Sequence, residues 1–299
     1  MPIGEPDFIL YAQHGWADDY QAIEILAKSV ATEKTEIVAP DLGYVQTWLR
    51  IDRLIQTVEN VVSENLARHP NVPIRIIGHS MGGLIWLEVL NRHPEWWSLI
   101  DSLVLVASPI SGAHLARMFD PLGLGIGIAR DLGINRRAIA EKVAATIPAL
   151  VIAGDINGGS DGTITVGSTR FRFAQFVYLP GLSHEVLRNH PSVATAIRRF
   201  WEKREPLPDF DSEIDALIQQ LQVIPGMTDA HQRDFYRAGI FLEHRSGATI
   251  RTWKNPLGVD HVFVVCPKGQ CLYGGFVGWA HSQALRRVLE TMQKDCRLD

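Results

Sequence analysis

Cysteine is scarce in this chain, with three residues among 299. So few cysteines in a long chain do not make a disulfide framework, and we expect a protein of the reducing cytoplasm. Cys266 and Cys271 flank the stretch PKGQ, whose composition is that of a hairpin turn, and could face each other across it. Two reduced core thiols are the expected arrangement, because no further ligands for a zinc site are evident nearby.

The chain also lacks an excess of either charge and lacks long apolar runs. Its 29 basic and 33 acidic residues nearly balance, so we expect no nucleic-acid partner and no charge-driven membrane binding. No stretch approaches the ~20 apolar residues of a transmembrane helix. The first residues, MPIGEPDFILYAQHG, lack the basic start and the apolar length of a signal peptide. We therefore predict no transmembrane segment, and leave open transient contact with a lipid surface.

What the sequence does contain is an alternation of short apolar runs with longer helical patterns. Six short runs rich in β-branched residues are predicted as strands, at 8–12, 36–40, 74–78, 103–107, 150–154 and 175–179. Four segments with apolar residues three and four apart are predicted as helices, at 18–31, 51–69, 82–92 and 185–203. This order predicts an α/β fold with a mostly parallel sheet of about six strands, covered by helices on both faces.

The segment at residues 111–148 departs from this alternation. It stands where a single crossover helix is expected, and its stretch at 118–129 is rich in glycine and apolar residues. That composition fits either a packed crossover or a mobile lid over a pocket. We therefore predict 111–148 as a possible cap or lid insertion.

The pattern changes again after residues 203–213, KREPLPDFDSE, which combine prolines with dense charge as a linker does. Beyond them we predict helices near 212–222 and 228–238, then four strands joined by tight turns, and a closing helix. These elements predict a catalytic domain at 1–205 and a small α+β domain of unknown role at 206–299.

A single serine stands between the third predicted strand and the helix that follows. Gly78-His79-Ser80-Met81-Gly82 fits the pattern G-x-S-x-G. In this context the turn strains the backbone of the serine, and the flanking glycines remove Cβ atoms that would collide. The helix that begins at Met81 directs its first N–H groups and its positive dipole end to the same point. The context favours a nucleophile over a serine that only caps a helix. His79 is expected to be structural.

A serine hydroxyl needs a base and an orienting acid to act as a nucleophile near neutral pH. His184 follows the last predicted strand, where the base is expected, whereas His190 is expected on the surface. Asp155 and Asp161 follow the preceding strand. Asp161 stands further out, in an Asp-Gly turn with the reach to His184, while Asp155 is expected to brace the loop. We predict Ser80, Asp161 and His184 as the catalytic residues, in the chain order expected on such a sheet.

The same loop also offers a calcium hypothesis. Asp155, Asn157 and Asp161 are oxygen ligands at short spacing, and GGSDG is similar to a calcium-binding repeat. A single copy without a bidentate glutamate is thin support. We predict no metal and no cofactor.

An acyl transfer site also needs amides that bind the developing oxyanion. Met81 N–H, directly after the nucleophile, is one candidate. The loop QHGWADDY after the first strand supplies the other, because Gly15 allows a close approach of the backbone and Trp16 N–H can point inward. The substrate-pocket candidates are His14, Trp16, Ile110 and Leu182. The alternative for His14 and Trp16 is that they only seal the top of the sheet.

Together these residues resemble the α/β-hydrolase superfamily, and within it the lipases and esterases. The resemblance is carried by His14-Gly15, the GHSMGG motif at 78–83, Asp161-Gly162 and His184. ASPISGAHLA at 107–116 is similar to the T-P-H-x-G-S segment of many lipases, with Ser108 and Ile110 in place of threonine and histidine. The resemblance covers about residues 7–203, and the first two strands of the full fold are absent from it.

The resemblance implies hydrolysis of a carboxylic ester, small-molecule or lipid, through an acyl-enzyme on Ser80. A serine at this position, where a dehalogenase needs a carboxylate nucleophile, disfavours dehalogenase chemistry. Thioester hydrolysis or acyl transfer to another acceptor is the alternative among enzymes. An alternative of another class is a non-catalytic fold that acts as an interaction module through 206–299.

Overall fold

A computed structural model of the chain describes residues 5–112, 128–203, 213–230, 232–269 and 271–298. The chain divides into two compact units. The first comprises Met1–Ile156 and Asp161–Pro208, and the second comprises Asp209–Asp299 together with Asn157–Ser160. Each unit has its own sheet and its own apolar core.

The first unit is built on a six-stranded sheet. Its strands are β1 Phe8–Gln13, β2 Thr35–Val38, β3 Ile74–His79, β4 Ile100–Val106, β5 Ala149–Asp155 and β6 Ala174–Pro180. Their order is β2-β1-β3-β4-β5-β6, and every neighbouring pair is parallel. The predicted parallel sheet of about six strands is confirmed. Because all strands run the same way, the loops at their carboxyl ends share one edge of the sheet.

Helices cover both faces of this sheet. They are α1 Tyr20–Val30, α2 Ile51–Arg68, α3 Met81–Arg92, α4 Ile128–Leu132, α5 Arg137–Ala144, α6 Val166–Thr169 and α7 Pro191–Glu202. Short 3-10 turns lie at Gln46–Trp48, Pro94–Leu99 and Val186–Arg188. The helix predicted at 185–203 therefore begins later, at Pro191, whose missing N–H and fixed φ suit a first helical position.

Two apolar cores lie on opposite faces of the sheet. Ile9 and Tyr11 of β1 belong to the core that includes α2, α3 and α5. Leu10 and Ala12 of the same strand belong to the core that includes α1 and α7. Successive side chains of a strand point to opposite faces. A strand buried on both faces is therefore apolar throughout, as the sequence pattern is.

The segment predicted as a cap or lid is described only in part. Residues 113–127, which hold most of the stretch at 118–129, lie outside the described residues. The described remainder carries α4, which packs on the core through Ile128 and Leu132, and α5, which packs on it through Ala140 and Val143. Arg136, almost fully buried, donates from Nε to Glu88 Oε1 of α3 at 2.7 Å and from an Nη to the carbonyl of Asp131 at 2.7 Å.

The second unit has a five-stranded antiparallel sheet. Its strands are β7 Met227–Asp229, β8 Gly239–Glu243, β9 Thr249–Lys254, β10 Asp260–Val265 and β11 Cys271–Val277, in the order β7-β11-β10-β9-β8. Two helices, α8 Glu213–Gln222 and α9 Ser282–Leu298, contribute to the core of this unit. The predicted small α+β addition at the C-terminal end of the chain is confirmed.

The helix predicted near 228–238 is wrong. Met227–Asp229 forms β7, and Gln232–Arg237 forms a 3-10 helix. The reason is tertiary: β7 pairs with the edge of β11, where Asp229 lies opposite Gly275, and this pairing overrides a local helical pattern.

None of the three cysteines, Cys266, Cys271 and Cys296, forms a disulfide bond. Burial raises the pKa of the Cys271 thiol to about 12, which keeps this thiol protonated and unreactive near neutral pH. Among the described residues, every helix is too short or too polar to cross a bilayer.

Candidate active site

Ser80 occupies the sharp turn between β3 and α3. Its backbone is strained, with φ 54° and ψ −124°. Its N–H donates to the carbonyl of Val106 at 2.8 Å, which ties the turn to the neighbouring strand β4. A Cβ at Gly78 would lie 2.6 Å from the backbone of Gly83, and a Cβ at Gly82 would lie 2.3 Å from the carbonyl oxygen of Gln13. The surrounding backbone therefore tolerates only glycine at both positions, and it holds Ser80 in a conformation that costs about 1–3 kcal/mol.

The imidazole of His184 lies between Ser80 and Asp161. His184 Nε2 is 3.0 Å from Ser80 Oγ, and His184 Nδ1 is 2.7 Å from Asp161 Oδ2. An ionised carboxylate only accepts hydrogen bonds, so the Nδ1–H donates to Asp161 and Nε2 is left to accept from the serine hydroxyl. The three residues predicted from the sequence are thus brought into one hydrogen-bonded chain at the carboxyl edge of the sheet.

The carboxylate of Asp161 is held by its own turn. It is 2% exposed, and Oδ1 accepts hydrogen bonds from the N–H groups of Thr163 at 2.9 Å and Ile164 at 2.6 Å. The carbonyl of Asp161 also accepts from His184 N–H at 2.9 Å. The two N–H groups fix the carboxylate so that Oδ2 faces the imidazole, and the backbone contact holds the loop of His184 beside it.

The two alternative residues lie elsewhere. Asp155 Oδ2 accepts a hydrogen bond from the hydroxyl of Tyr178 at 2.6 Å, and the Asp155 carbonyl accepts from Gly181 N–H at 2.6 Å. His190 caps α7, where its ring accepts from Ser192 N–H at 3.2 Å. Asp155 thus braces the loop after β6, and His190 serves the start of a helix. Among the described residues, no group of three or more metal-binding side chains is close enough to hold a metal ion.

His79 supports the backbone of His184. It is 3% exposed, and its Nε2 lies 3.1 Å from the carbonyl oxygen of His184, to which it donates. Burial, and next the charge of His184, lowers the pKa of His79 well below its ordinary value of 6.5. A neutral His79 therefore holds the loop of the base without adding a charge beside it.

The loop after β1 runs directly against the nucleophile. A Cβ at Gly15 would lie 2.9 Å from Ser80 Cβ and 3.3 Å from the amide nitrogen of Met81. Met81 is the first residue of α3, where backbone N–H groups have no intrahelical acceptor. Trp16, the next residue of the loop, lines the cavity at Ser80. The two residues predicted to bind the oxyanion, Trp16 and Met81, thus both line the cavity at Ser80.

Comparisons with known proteins agree with this fold. The model of the Hydrolase_4 family, described as serine aminopeptidase S33, matches residues 4–127. The structure of the lipase BlEst2 from Bacillus licheniformis in its propeptide form is similar at 11% identity and a TM-score of 0.54, over 92% of this chain and 71% of that one. Est1E from Butyrivibrio proteoclasticus with bound ferulic acid is similar at 16% identity and a TM-score of 0.51, over 68% of this chain and 92% of that one. Comparison with curated protein sequences gives no match.

The chain has the α/β-hydrolase fold. At these identities the solved structures establish the fold alone, and the chemistry has to be argued from the residues of this chain.

A cavity of about 230 Å³ lies beside Ser80. Of the four predicted pocket residues, Trp16 lines it. The other three are placed elsewhere in the first unit. His14 is fully buried and accepts from Leu42 N–H at 3.1 Å, Ile110 lies in the core, and Leu182 packs on the core beside α1 and α7. His14 thus fits the alternative that it seals the top of the sheet.

Sequence reasoning missed several residues of the cavity wall. Leu132 and Ile164 supply apolar surface, and Asp18 and Arg188 supply charge. Arg188 donates to Asp18 at 2.6 Å across the cavity. The signal that could have found this pair is position: Asp18 follows Gly15 in the loop after β1, and Arg188 stands one turn beyond His184.

Proposed function

We propose that this α/β-hydrolase is a serine hydrolase that cleaves carboxylic esters through an acyl-enzyme on Ser80. The proposal rests above all on the continuous contact from Asp161 Oδ2 through the His184 ring to Ser80 Oγ, at 2.7 and 3.0 Å. These distances are within the range required of an acid, a base and a nucleophile that act together. The strain at Ser80 supports the same role, because strained residues cluster at active sites.

In the first step, Ser80 Oγ attacks the carbonyl carbon of the ester while its proton moves to His184 Nε2. The carbonyl oxygen becomes an oxyanion, and we assign its stabilisation to the N–H groups of Met81 and Trp16. Asp161 keeps the imidazole in the tautomer that can accept the proton and stabilises the imidazolium that forms. The tetrahedral intermediate then collapses, His184 gives its proton to the leaving alcohol, and the acyl group stays on Ser80.

In the second step, water replaces the alcohol. His184 takes a proton from the attacking water, a second tetrahedral intermediate forms, and its collapse releases the carboxylic acid as the proton returns to Ser80 Oγ. Thioesters can follow the same route, since only the leaving group differs. Transfer to an acceptor other than water would require that the acceptor reach the acyl-enzyme first.

Amide substrates with a free amino group are the second candidate, because the matching family model is described as a serine aminopeptidase. Such a substrate needs a carboxylate to bind its ammonium group. The two carboxylates of the described cavity wall, Asp18 and Glu185, both accept hydrogen bonds from the guanidinium of Arg188. Because both carboxylates already pair with a cation of this chain, an ester is favoured over a substrate with an ammonium group.

A fluorophosphonate label, followed by mass spectrometry of the modified peptide, tests the proposal. We expect the label on Ser80 of the full chain and none on a Ser80→Ala variant. The labelled chain should lose all activity on a panel of nitrophenyl esters, their thioesters and aminoacyl nitroanilides. Absence of labelling, with no turnover of any substrate in the panel, would overturn catalysis and leave the non-catalytic hypothesis. Faster cleavage of anilides than of esters would overturn the ester assignment.

A further inference from the structure

On one surface beside the cavity, apolar side chains are exposed and a polar side chain is buried, which is the reverse of the usual pattern. In the turn at 44–49, YVQTWL, Tyr44 is 57%, Val45 71%, Trp48 42% and Leu49 48% exposed, whereas the polar Thr47 is fully buried. Single exposed apolar side chains are normal on a protein surface. Four of them within six residues, around a buried threonine, form a cluster of exposed apolar side chains, and such clusters mark binding sites. We call these four residues the apolar ledge.

The turn that carries the ledge is held in place by hydrogen bonds. The Thr47 hydroxyl donates to the carbonyl of Tyr44 at 2.6 Å and accepts from Ala17 N–H at 3.1 Å. Gly43 has φ +70°, and its carbonyl accepts from Gln46 N–H at 2.9 Å. The buried Thr47 thus joins the turn to the loop after β1, and the exposed side chains are presented in a fixed arrangement.

The ledge is continuous with the cavity at Ser80. Trp16 lines that cavity, and its ring meets the Trp48 ring edge-on with the centroids 4.4 Å apart. The Trp48 ring is in turn 6.4 Å from the ring of Tyr44. A path of aromatic surface therefore leads from the nucleophile to the outside of the molecule.

We propose that the apolar ledge binds the hydrophobic chain of the ester substrate, while the ester group itself reacts in the cavity. The cavity, at about 230 Å³, is smaller than the roughly 300–1,000 Å³ of ordinary ligand pockets, so an ester with a long chain has to extend beyond it. The ledge offers that chain an apolar surface on the side where Trp16 connects the cavity with the exterior. This inference rests on the proposed ester hydrolysis and names the substrate class: esters with a long aliphatic or aromatic chain.

The charges around the ledge favour a single chain over the surface of an anionic membrane. Arg50, beside Leu49, lies 3.3 Å from Asp131 and 3.4 Å from Asp52. Asp41, on the other side of the turn, is an exposed carboxylate. This distribution supplies no excess of positive charge, which binding to anionic headgroups would need.

The test compares nitrophenyl octanoate with nitrophenyl acetate, both below the concentration at which micelles form. In a Val45→Ser/Leu49→Ser variant we expect the ratio of kcat/KM for octanoate to that for acetate to fall roughly tenfold, because two apolar contacts with the chain are lost. The matched control is Ile25→Ser, which removes an equally exposed apolar residue from α1 and should leave the ratio unchanged. Both changes are at exposed positions, and thermal unfolding of each full chain checks that it is folded.

A second arm does not depend on turnover. Calorimetric titration with methyl octyl ketone, which has the chain but no leaving group, should show saturable binding that weakens roughly tenfold in Val45→Ser/Leu49→Ser and stays constant in Ile25→Ser. Ketone binding without ester cleavage would refute the proposed function but support the proposal that the apolar ledge binds a hydrophobic chain. An unchanged octanoate ratio together with unchanged ketone affinity would overturn the ledge proposal. Binding to phosphatidylcholine vesicles is measured for the same variants. If Val45→Ser/Leu49→Ser lost only this binding, the ledge proposal would also be overturned, because the surface would then be a contact for lipid bilayers.

Discussion

Arg188 and Asp18 form an ion pair at the mouth of the candidate active site, with an Nη of Arg188 2.6 Å from Asp18 Oδ1. The two residues are 170 positions apart. Asp18 belongs to the loop that runs against Ser80, and Arg188 ends the turn that begins just after His184. Their side chains are 10% and 25% exposed, respectively, so the pair is partly shielded from solvent. It joins the loop with the proposed oxyanion donor to the loop with the base.

This pair predicts an effect on rate. Asp18→Asn and Arg188→Gln should each lower kcat for an ester roughly tenfold, because small displacements of catalytic groups are costly, while KM changes less. The double variant should lose little more than either single variant, since both remove the same contact. The control is Arg75→Gln, which breaks the comparably shielded Arg75–Asp101 pair at the opposite ends of the strands. That variant should keep the wild-type kcat, and equal losses of kcat in all variants would contradict a positioning role for Arg188.

The two aspartates after β5 predict different consequences of the same substitution. Asp161→Asn keeps an oxygen for the N–H groups of Thr163 and Ile164 but turns an amide toward His184 Nδ1, which forces the proton onto Nε2. The ring then cannot accept from Ser80, and kcat should fall on the order of a thousandfold or more. Asp155→Asn, which alters the contact with Tyr178 and leaves the contact between Asp161 and His184 in place, should stay within several-fold of wild type. Steady-state kinetics with one ester measures kcat for both variants. A larger loss of kcat in Asp155→Asn than in Asp161→Asn would assign the orienting acid to Asp155.

Gly15 predicts the position of the oxyanion site. The new methyl group of Gly15→Ala would lie 2.9 Å from Ser80 Cβ, so the loop has to move away from the serine. We expect kcat to fall roughly a hundredfold through loss of one oxyanion donor and stability to fall by about 1–3 kcal/mol. Gly239→Ala, with no heavy atom within 4 Å of its added Cβ, is the matched control. Wild-type kcat in Gly15→Ala, measured after active-site titration, would place the second donor outside this loop.

His79 predicts how stability depends on pH. Its pKa in the folded chain is lowered, mainly by burial, from the ordinary 6.5. Below pH 6.5 the unfolded chain therefore binds a proton at this ring that the folded chain does not bind. Stability is full above that pH and declines as the pH falls toward the lowered pKa, with a slope of about 1.4 kcal/mol per pH unit from this ring. His14, whose pKa burial also lowers, adds to the decline.

Denaturant unfolding at several pH values below 6.5 measures this slope. His79→Gln keeps a donor for the His184 carbonyl and does not titrate, so its stability should decline less steeply than that of wild type. Identical slopes in His79→Gln and wild type would show that this ring is not the group that couples folding to pH.

The sequence predicted the parts of this protein that depend on local chemistry and chain order. The strained turn at Ser80 could be predicted from the sequence because such a turn requires glycine at positions 78 and 82, and both glycines are present. The proximity of His184 and Asp161 could be predicted because parallel strands place the loops at their carboxyl ends along one edge of the sheet, in an order that follows the chain. The sheet itself follows from apolar runs whose residues alternate between two buried faces.

Only the tertiary structure decided which loops form the wall of the site. Asp18 contacts Arg188 and Trp16 contacts Trp48 because α1 and the strand order bring distant loops together. The spacing of apolar residues along the chain does not predict such contacts. The same holds for β7, where pairing with β11 displaced the predicted helix. The physical reason is that a strand, a helix or a glycine turn is selected by interactions within a few residues, whereas a pocket wall is selected by the packing of whole elements against one another.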